Sequence, residues 1–128
     1  MLGLAGGLIG LALLLSACGG GNPSLNVELK DFSFAPATFT VPAGKQVTLN
    51  VKNTGANEHE FVIFKEGLEA TAPFDADDEG NIYWEVETEA GESKTVTFTA
   101  PSKPGVYQLV CGVPGHIEHG MVGTLTVQ

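Results

Sequence analysis

Arginine is absent from the 128 residues, and six lysines stand against 15 acidic residues. A net charge of -9 with no guanidinium leaves little to neutralise phosphates, which excludes the usual nucleic-acid-binding classes. Cysteine is scarce too: two residues allow at most one disulfide, so a disulfide-stapled scaffold is excluded. No segment holds helical periodicity over three turns, and there is no internal repeat. Charge is missing altogether from residues 1–17. The chain therefore divides into a short apolar part and an acidic part large enough for one domain with its own core.

The apolar part, MLGLAGGLIGLALLLSA, is shorter than the roughly 20 residues a membrane-spanning helix needs. Its length and small-residue end suit a secretory signal, although no basic residue precedes it. The tetrad Leu15-Ser16-Ala17-Cys18 resembles the lipobox of bacterial lipoproteins, in which the cysteine is lipidated and becomes the mature N-terminus. Cleaved or retained as an anchor, such a segment exports the domain behind it. The resemblance implies a lipoprotein on the extracytoplasmic face, in the periplasm or at the cell surface. Cys18 and the segment to Ser24 (CGGGNPS) then read as a lipidated tether, with the domain running from 25 to 128. The six residues after Cys18 span only about 13 Å root-mean-square, which keeps the domain near the membrane.

From Leu25 onward the pattern has period two. Val27, Leu29, Phe32 and Phe34 line one strand; Val47, Leu49 and Val51 alternate with polar residues; Val96 and Phe98 alternate with threonine; Leu125 and Val127 do so at the end. Such alternation marks half-buried strands. Turn residues fall between them at Pro42-Ala43-Gly44, Asn53-Thr54-Gly55, Ala90-Gly91 and Pro101–Gly105. The spacing predicts an all-β antiparallel sandwich of seven to eight strands, with room for one helical turn between Lys65 and Asp78.

Chemistry concentrates in CGVPGHIEHGM, where Cys111, His116 and Met121 stand at C-x4-H-x4-M on the loop before the last strand. Singly, each is weak evidence: a cysteine in a β core is usually a small hydrophobe, and methionine usually fills space. Together on one Gly/Pro-shaped loop they match a copper site built from a soft thiolate, two imidazoles and a weak axial thioether. The second imidazole must come from elsewhere. His59 opens the apolar strand Glu60-Phe61-Val62-Ile63-Phe64, which would hold it rigidly. His119 is left over, at the solvent edge.

The stretch CGVPGHIEHGMVGTLTV resembles the copper loop and last strand of the blue copper proteins, the cupredoxins, with spacing most similar to auracyanins and surroundings similar to azurins. DFSFAPATFTV and PAGKQVTLNVKNTG agree with that likeness. The resemblance implies a Greek-key β-sandwich and one copper ion cycling between Cu(I) and Cu(II). It implies equatorial ligands His59, Cys111 and His116, axial Met121, and the backbone N–H groups of Glu60 and Val113 directed at the Cys111 sulfur. By azurin's example the Glu58 carbonyl would add a fifth contact. Two features depart from the pattern. Glu60 stands where such families commonly place an asparagine that ties the ligand loops together, and Lys65–Glu92 has no clear azurin counterpart.

The function implied is one-electron carriage between membrane-associated redox partners, not enzymatic turnover. One Cys-His-Met set leaves no second copper centre, and a binuclear centre needs two loop cysteines. A copper chaperone or store could use the same ligands and is the alternative. Glu66, Glu69, Asp75, Asp77, Asp78, Glu79, Glu85, Glu87, Glu89 and Glu92 crowd one segment without a base. They form either a solvated face or a dock for a basic cytochrome. Asp75, Asp77 and Glu79 lack the glycine and distal glutamate of a calcium loop. The apolar surroundings of His116 suggest a second docking surface, and the domain is expected to be a monomer.

Overall fold

The computed structural model describes residues 21–128; the signal segment and Cys18 lie outside the described residues. The chain forms β1 (Ser24–Lys30), β2 (Ser33–Ala35), β3 (Thr38–Val41), β4 (Gln46–Asn53), β5 (His59–Phe64), α1 (Ala76–Glu79), β6 (Ile82–Thr88), β7 (Ser93–Thr99), β8 (Gly105–Val110) and β9 (Val122–Val127). Two sheets pack face to face, one ordered β2-β1-β4-β7 and the other β3-β9-β8-β5-β6. The expected β-sandwich is therefore present, with nine strands among the described residues instead of seven or eight.

The sheets are mixed, not antiparallel. β1 runs parallel to β4 and β3 parallel to β9. Alternation reports which face of a strand is buried but carries no information on its neighbour's direction. The tether also ends sooner than expected: Ser24 is already in register with Thr48, and the Thr48 N–H donates to the Pro23 carbonyl at 2.9 Å.

Between the sheets lie Leu29 and Phe34, Leu49 and Val51, and Phe98 from one side, and Phe61, Ile63, Leu109 and Leu125 from the other, all buried. Phe61 is the hub. Its ring meets Phe34, Phe39 and Trp84 edge-on at centroid distances of 5.8, 5.7 and 6.4 Å. Trp84 stacks on Phe98 at 4.7 Å, as a sheet-face aromatic. Burial of these side chains is the main favourable contribution, at about 1.5–3 kcal/mol each.

β5 is buried on both faces, which explains its unbroken apolar run. Val62 and Phe64 point away from the main core and join Val110, Ala70, Phe74, Ile82 and Ile117 in a second cluster. The segment between β5 and β6 thus covers the outer face of the five-stranded sheet. It contains the expected single helical turn, α1, started by Asp75 in a capping box with Asp78. Two of the acids read as part of a charged face are therefore structural.

Phe32 does not continue the first strand. It sits in the β1–β2 turn with φ of 65°, in the left-handed region that non-glycine residues avoid. That backbone conformation turns its ring out of the core and over the far end of the sandwich. The ligand loop lies there.

Candidate metal centre

One end of the sandwich gathers the start of β5, the end of β8 and the loop before β9. His59 is the first residue of β5 and is fully buried, held by an apolar strand with core on both faces. Cys111 follows β8 directly and is buried in the main core. The loop after it closes on its own backbone: the N–H groups of His116, His119 and Gly120 donate to the carbonyls of Val113, His116 and Ile117. Gly115 and Gly120, at φ of 87° and 86°, supply backbone conformations that an L side chain would strain. Cys111 N–H then donates to Met121 O, and Met121 N–H to His116 O, both at 3.1 Å. These bonds fix three of the four expected residues relative to one another, with Met121 fully buried at the loop's end.

His59, Cys111 and His116 converge. Their Nδ1 and Sγ atoms lie within 4.8 Å of one another. The two Nδ1 atoms are 3.1 Å apart, and Cys111 Sγ stands 3.3 Å from His116 Nδ1 and 3.9 Å from His59 Nδ1. Donors that each sit about 2.0–2.3 Å from one first-row ion are necessarily about 3–4 Å apart. A soft sulfur and two imidazole nitrogens, with a buried thioether on the adjoining loop, suit copper. The donor set fits the metal.

A scan against family models matches residues 7–127 to the cupredoxin-like domain. The chain is a cupredoxin. It is 33% identical over 141 residues to auracyanin-A of Chloroflexus aurantiacus, covering 85% of this chain and 86% of that protein. Auracyanin-B of the same organism is 32% identical over 138 residues, covering 88% of this chain. The cupredoxin chain spans only 58% of the length of that relative. Reduced auracyanin from Roseiflexus castenholzii superposes with a TM-score of 0.68 at 32% identity, over 85% of this chain and 99% of that one.

Electrostatics around the cupredoxin's donors favour the neutral imidazole and the neutral thiol until a metal arrives. Burial, then the neighbouring His59, lowers the His116 pKa. Burial raises that of the Cys111 thiol, while the backbone N–H groups of Glu60 and Val113 oppose the rise. Glu60 N–H reaches the sulfur at 3.3 Å, as the resemblance implies.

The Glu60 side chain does not take over the role of the missing asparagine. It turns to the outer face, over Gly112, where a Cβ would collide with its carboxylate. Phe74 also packs on this glycine, at 3.2 Å from a Cβ position, so the segment between β5 and β6 braces the ligand loop. Glu60, Glu58 and Glu87 form a close carboxylate cluster. Burial first, then Glu85, Glu58, Glu87 and Glu79, pushes the Glu60 pKa up to about 7 from 4.5. The folded state thus holds that proton more tightly than the unfolded chain. The associated stability is complete below pH 4.5 and is lost as pH rises through about 7. Glu60→Gln will stabilise the metal-free protein at pH 8 by about 1–2 kcal/mol, the full effect being reduced by the group's partial exposure. At pH 4 the gain disappears; urea unfolding at the two pH values measures both.

Two residues beside the site escape sequence reasoning. Phe32 stacks on His119 at 4.4 Å and meets His116 edge-on at 5.2 Å. Asp31 Oδ1 lies 3.0 Å from His59 Nε2. In the sequence Phe32 reads as a strand residue in step with Phe34, and Asp31 carries no metal-site signal. His119, with Nδ1 2.7 Å from Gly115 O, lies at the solvent edge as expected.

Proposed function

We propose that this protein is a one-electron carrier and not an enzyme, with His59, Cys111 and His116 as equatorial copper ligands and Met121 as the axial one. The observation that carries the reading is the buried Cys111 thiol flanked by two converging imidazole nitrogens. Its likeness to the auracyanins supports it; auracyanin-A of Chloroflexus aurantiacus is a "blue" copper protein. Copper, when bound, supplies a one-electron couple whose potential depends on its donors.

The chain's own part is to hold those donors still. His59 is locked by β5, and Cys111, His116 and Met121 by one hydrogen-bonded loop, so a change of charge finds little freedom to rearrange. His116, 7% exposed, lies against surface formed by Phe32 and His119. Ile117 is next to it in the loop and is half-buried. That patch is the proposed electron port. Glu58, Glu60 and Glu87 cluster together, with the Glu60 carboxylate over Gly112 of the same loop, and would steer a basic cytochrome toward it. Lipidation of Cys18 would hold the monomeric domain on the extracytoplasmic membrane face, between membrane-associated partners.

Stopped-flow exchange with a basic cytochrome tests this. Wild-type rates should fall as salt rises, because the clustered carboxylates do the steering. Ile117→Glu should slow exchange about tenfold or more although it adds attraction, since it wets the contact patch, and the copper spectrum should be unchanged. Unaltered exchange would remove the patch as the port. Ready surrender of copper to a mild chelator, in place of exchange, would favour the chaperone.

A further inference from the structure

The β1–β2 turn contributes two adjacent residues to the site, Asp31 against His59 and Phe32 against His116. We propose that Asp31 is the positioning residue for His59: its carboxylate holds the Nε2–H tautomer and the ring angle that present Nδ1 to the metal. The inference rests on His59 being a copper ligand and deepens that reading.

Four observations converge on it. His59 is fully buried, and its Nε2 lies 3.0 Å from Asp31 Oδ1. Asp31 is itself held: Ala56 N–H donates to both carboxylate oxygens at 3.1 and 3.2 Å, and Asn57 Nδ2 to Oδ1 at 3.3 Å. The loop that supplies those donors is anchored by buried Asn53. Its Nδ2 donates to Asn57 O and Thr88 O at 2.8 Å each, and its Oδ1 accepts from Gly55 N at 2.9 Å. Finally, the contact exists because residue 55 has no side chain. A Cβ there would collide with Asp31 Oδ1 and stand 2.7 Å from His59 Nε2. Gly55 has no positive φ to explain its choice; the passage of the carboxylate across it does.

The chemistry is that of a carboxylate–histidine–metal relay. A ring nitrogen that donates to a carboxylate leaves the opposite nitrogen with its lone pair free, and the anion makes that lone pair more basic. A negative charge one imidazole away from the ion favours Cu(II) over Cu(I). Removal of such a partner typically weakens metal affinity about 10–100-fold. A tenfold loss borne by Cu(II) alone corresponds to a rise of about 59 mV in potential.

Three variants of the full chain test this. In metal-free wild type, long-range proton–nitrogen correlation of the imidazoles should show His59 protonated at Nε2. Asp31→Ala should mix the tautomers, weaken Cu(II) binding about 10-fold or more and raise the potential. Asp31→Asn keeps an acceptor oxygen and removes the charge, so the tautomer should hold while the potential still rises. Gly55→Ala leaves every donor in place and pushes the carboxylate aside, and should reproduce Asp31→Ala. A single Nε2–H tautomer and an unchanged potential in Asp31→Ala, or in Gly55→Ala should the former not fold, would overturn the proposal. The tautomer is read without copper, so its failure is distinct from failure of the electron-carrier reading.

Discussion

Copper-loaded protein carrying Cys111→Ser will show no intense visible band, whereas the wild-type chain will show one of thiolate-to-copper origin. The reason is donor type. Among the described residues Cys111 is the free cysteine, and its sulfur is the soft donor that lies within 4 Å of both imidazole Nδ1 atoms. A serine hydroxyl is hard and does not ionise near neutral pH, so it offers copper neither a comparable bond nor a low-energy charge-transfer transition. Affinity should fall with the band, because binding depends on a deprotonated sulfur. The same chemistry weakens wild-type binding in acid: burial already raises the Cys111 pKa, and ligation must displace that proton. The fold itself should survive. Serine is nearly isosteric, and the Glu60 N–H that meets the sulfur can donate to the new hydroxyl instead. Parallel far-ultraviolet dichroism of the two proteins, with visible absorption after loading with one equivalent of Cu(II), separates loss of the site from loss of structure. A persistent intense band would show that Cys111 is not the sulfur ligand.

The site is legible in the sequence to the extent that its donors share one segment. Cys111, His116 and Met121 fall on a single glycine-shaped loop, and His59 stands out because an apolar strand runs on from it. The residues that orient those donors are not legible, since they act through space. Asp31 reaches His59 across 28 positions of sequence, and Phe32 alternates in step with Phe34 until its backbone enters the left-handed region. The step of three from Leu29 to Phe32 shifts the period-two pattern there, but it does not show where the Phe32 ring goes. The fold divides in the same way. Burial of Val47, Leu49 and Val51 is implied by alternation, but the parallel pairing of β1 with β4 is a relation between distant segments. The acids between β5 and β6 look like charge alone, yet Asp75 and Asp78 close a capping box and Phe74 braces Gly112. Composition does not distinguish a solvated run from a clamp on the ligand loop.

Gly123→Ala will destabilise the protein by about 2–4 kcal/mol, the largest effect expected from adding a single methyl group. Gly123 lies in β9, opposite Leu109 of β8 and beside the entry to β3. Its φ is not positive, so the requirement for glycine is spatial and not conformational. A Cβ at this position would press well inside contact with the Ala37 carbonyl oxygen and stand 3.2 Å from both the carbonyl carbon and Leu109 Cδ2. The obstacle is backbone, which cannot swing aside as a flexible side chain can. That carbonyl also accepts from Thr124 N–H at 2.9 Å, at the point where β3 and β9 begin to pair. Relief of the clash therefore strains or breaks this bond, at about 0.5–1.5 kcal/mol, and displaces packed strands, at about 1–3 kcal/mol. Thermal and urea unfolding of the metal-free protein measure the sum. The copper loop ends at Met121, but its closing bonds run to Cys111 and His116 and not to β3. The variant should therefore keep the wild-type visible spectrum well below its lowered melting temperature. Wild-type stability in Gly123→Ala would mean that β3 can retreat freely from β9, and that the glycine there has some other cause.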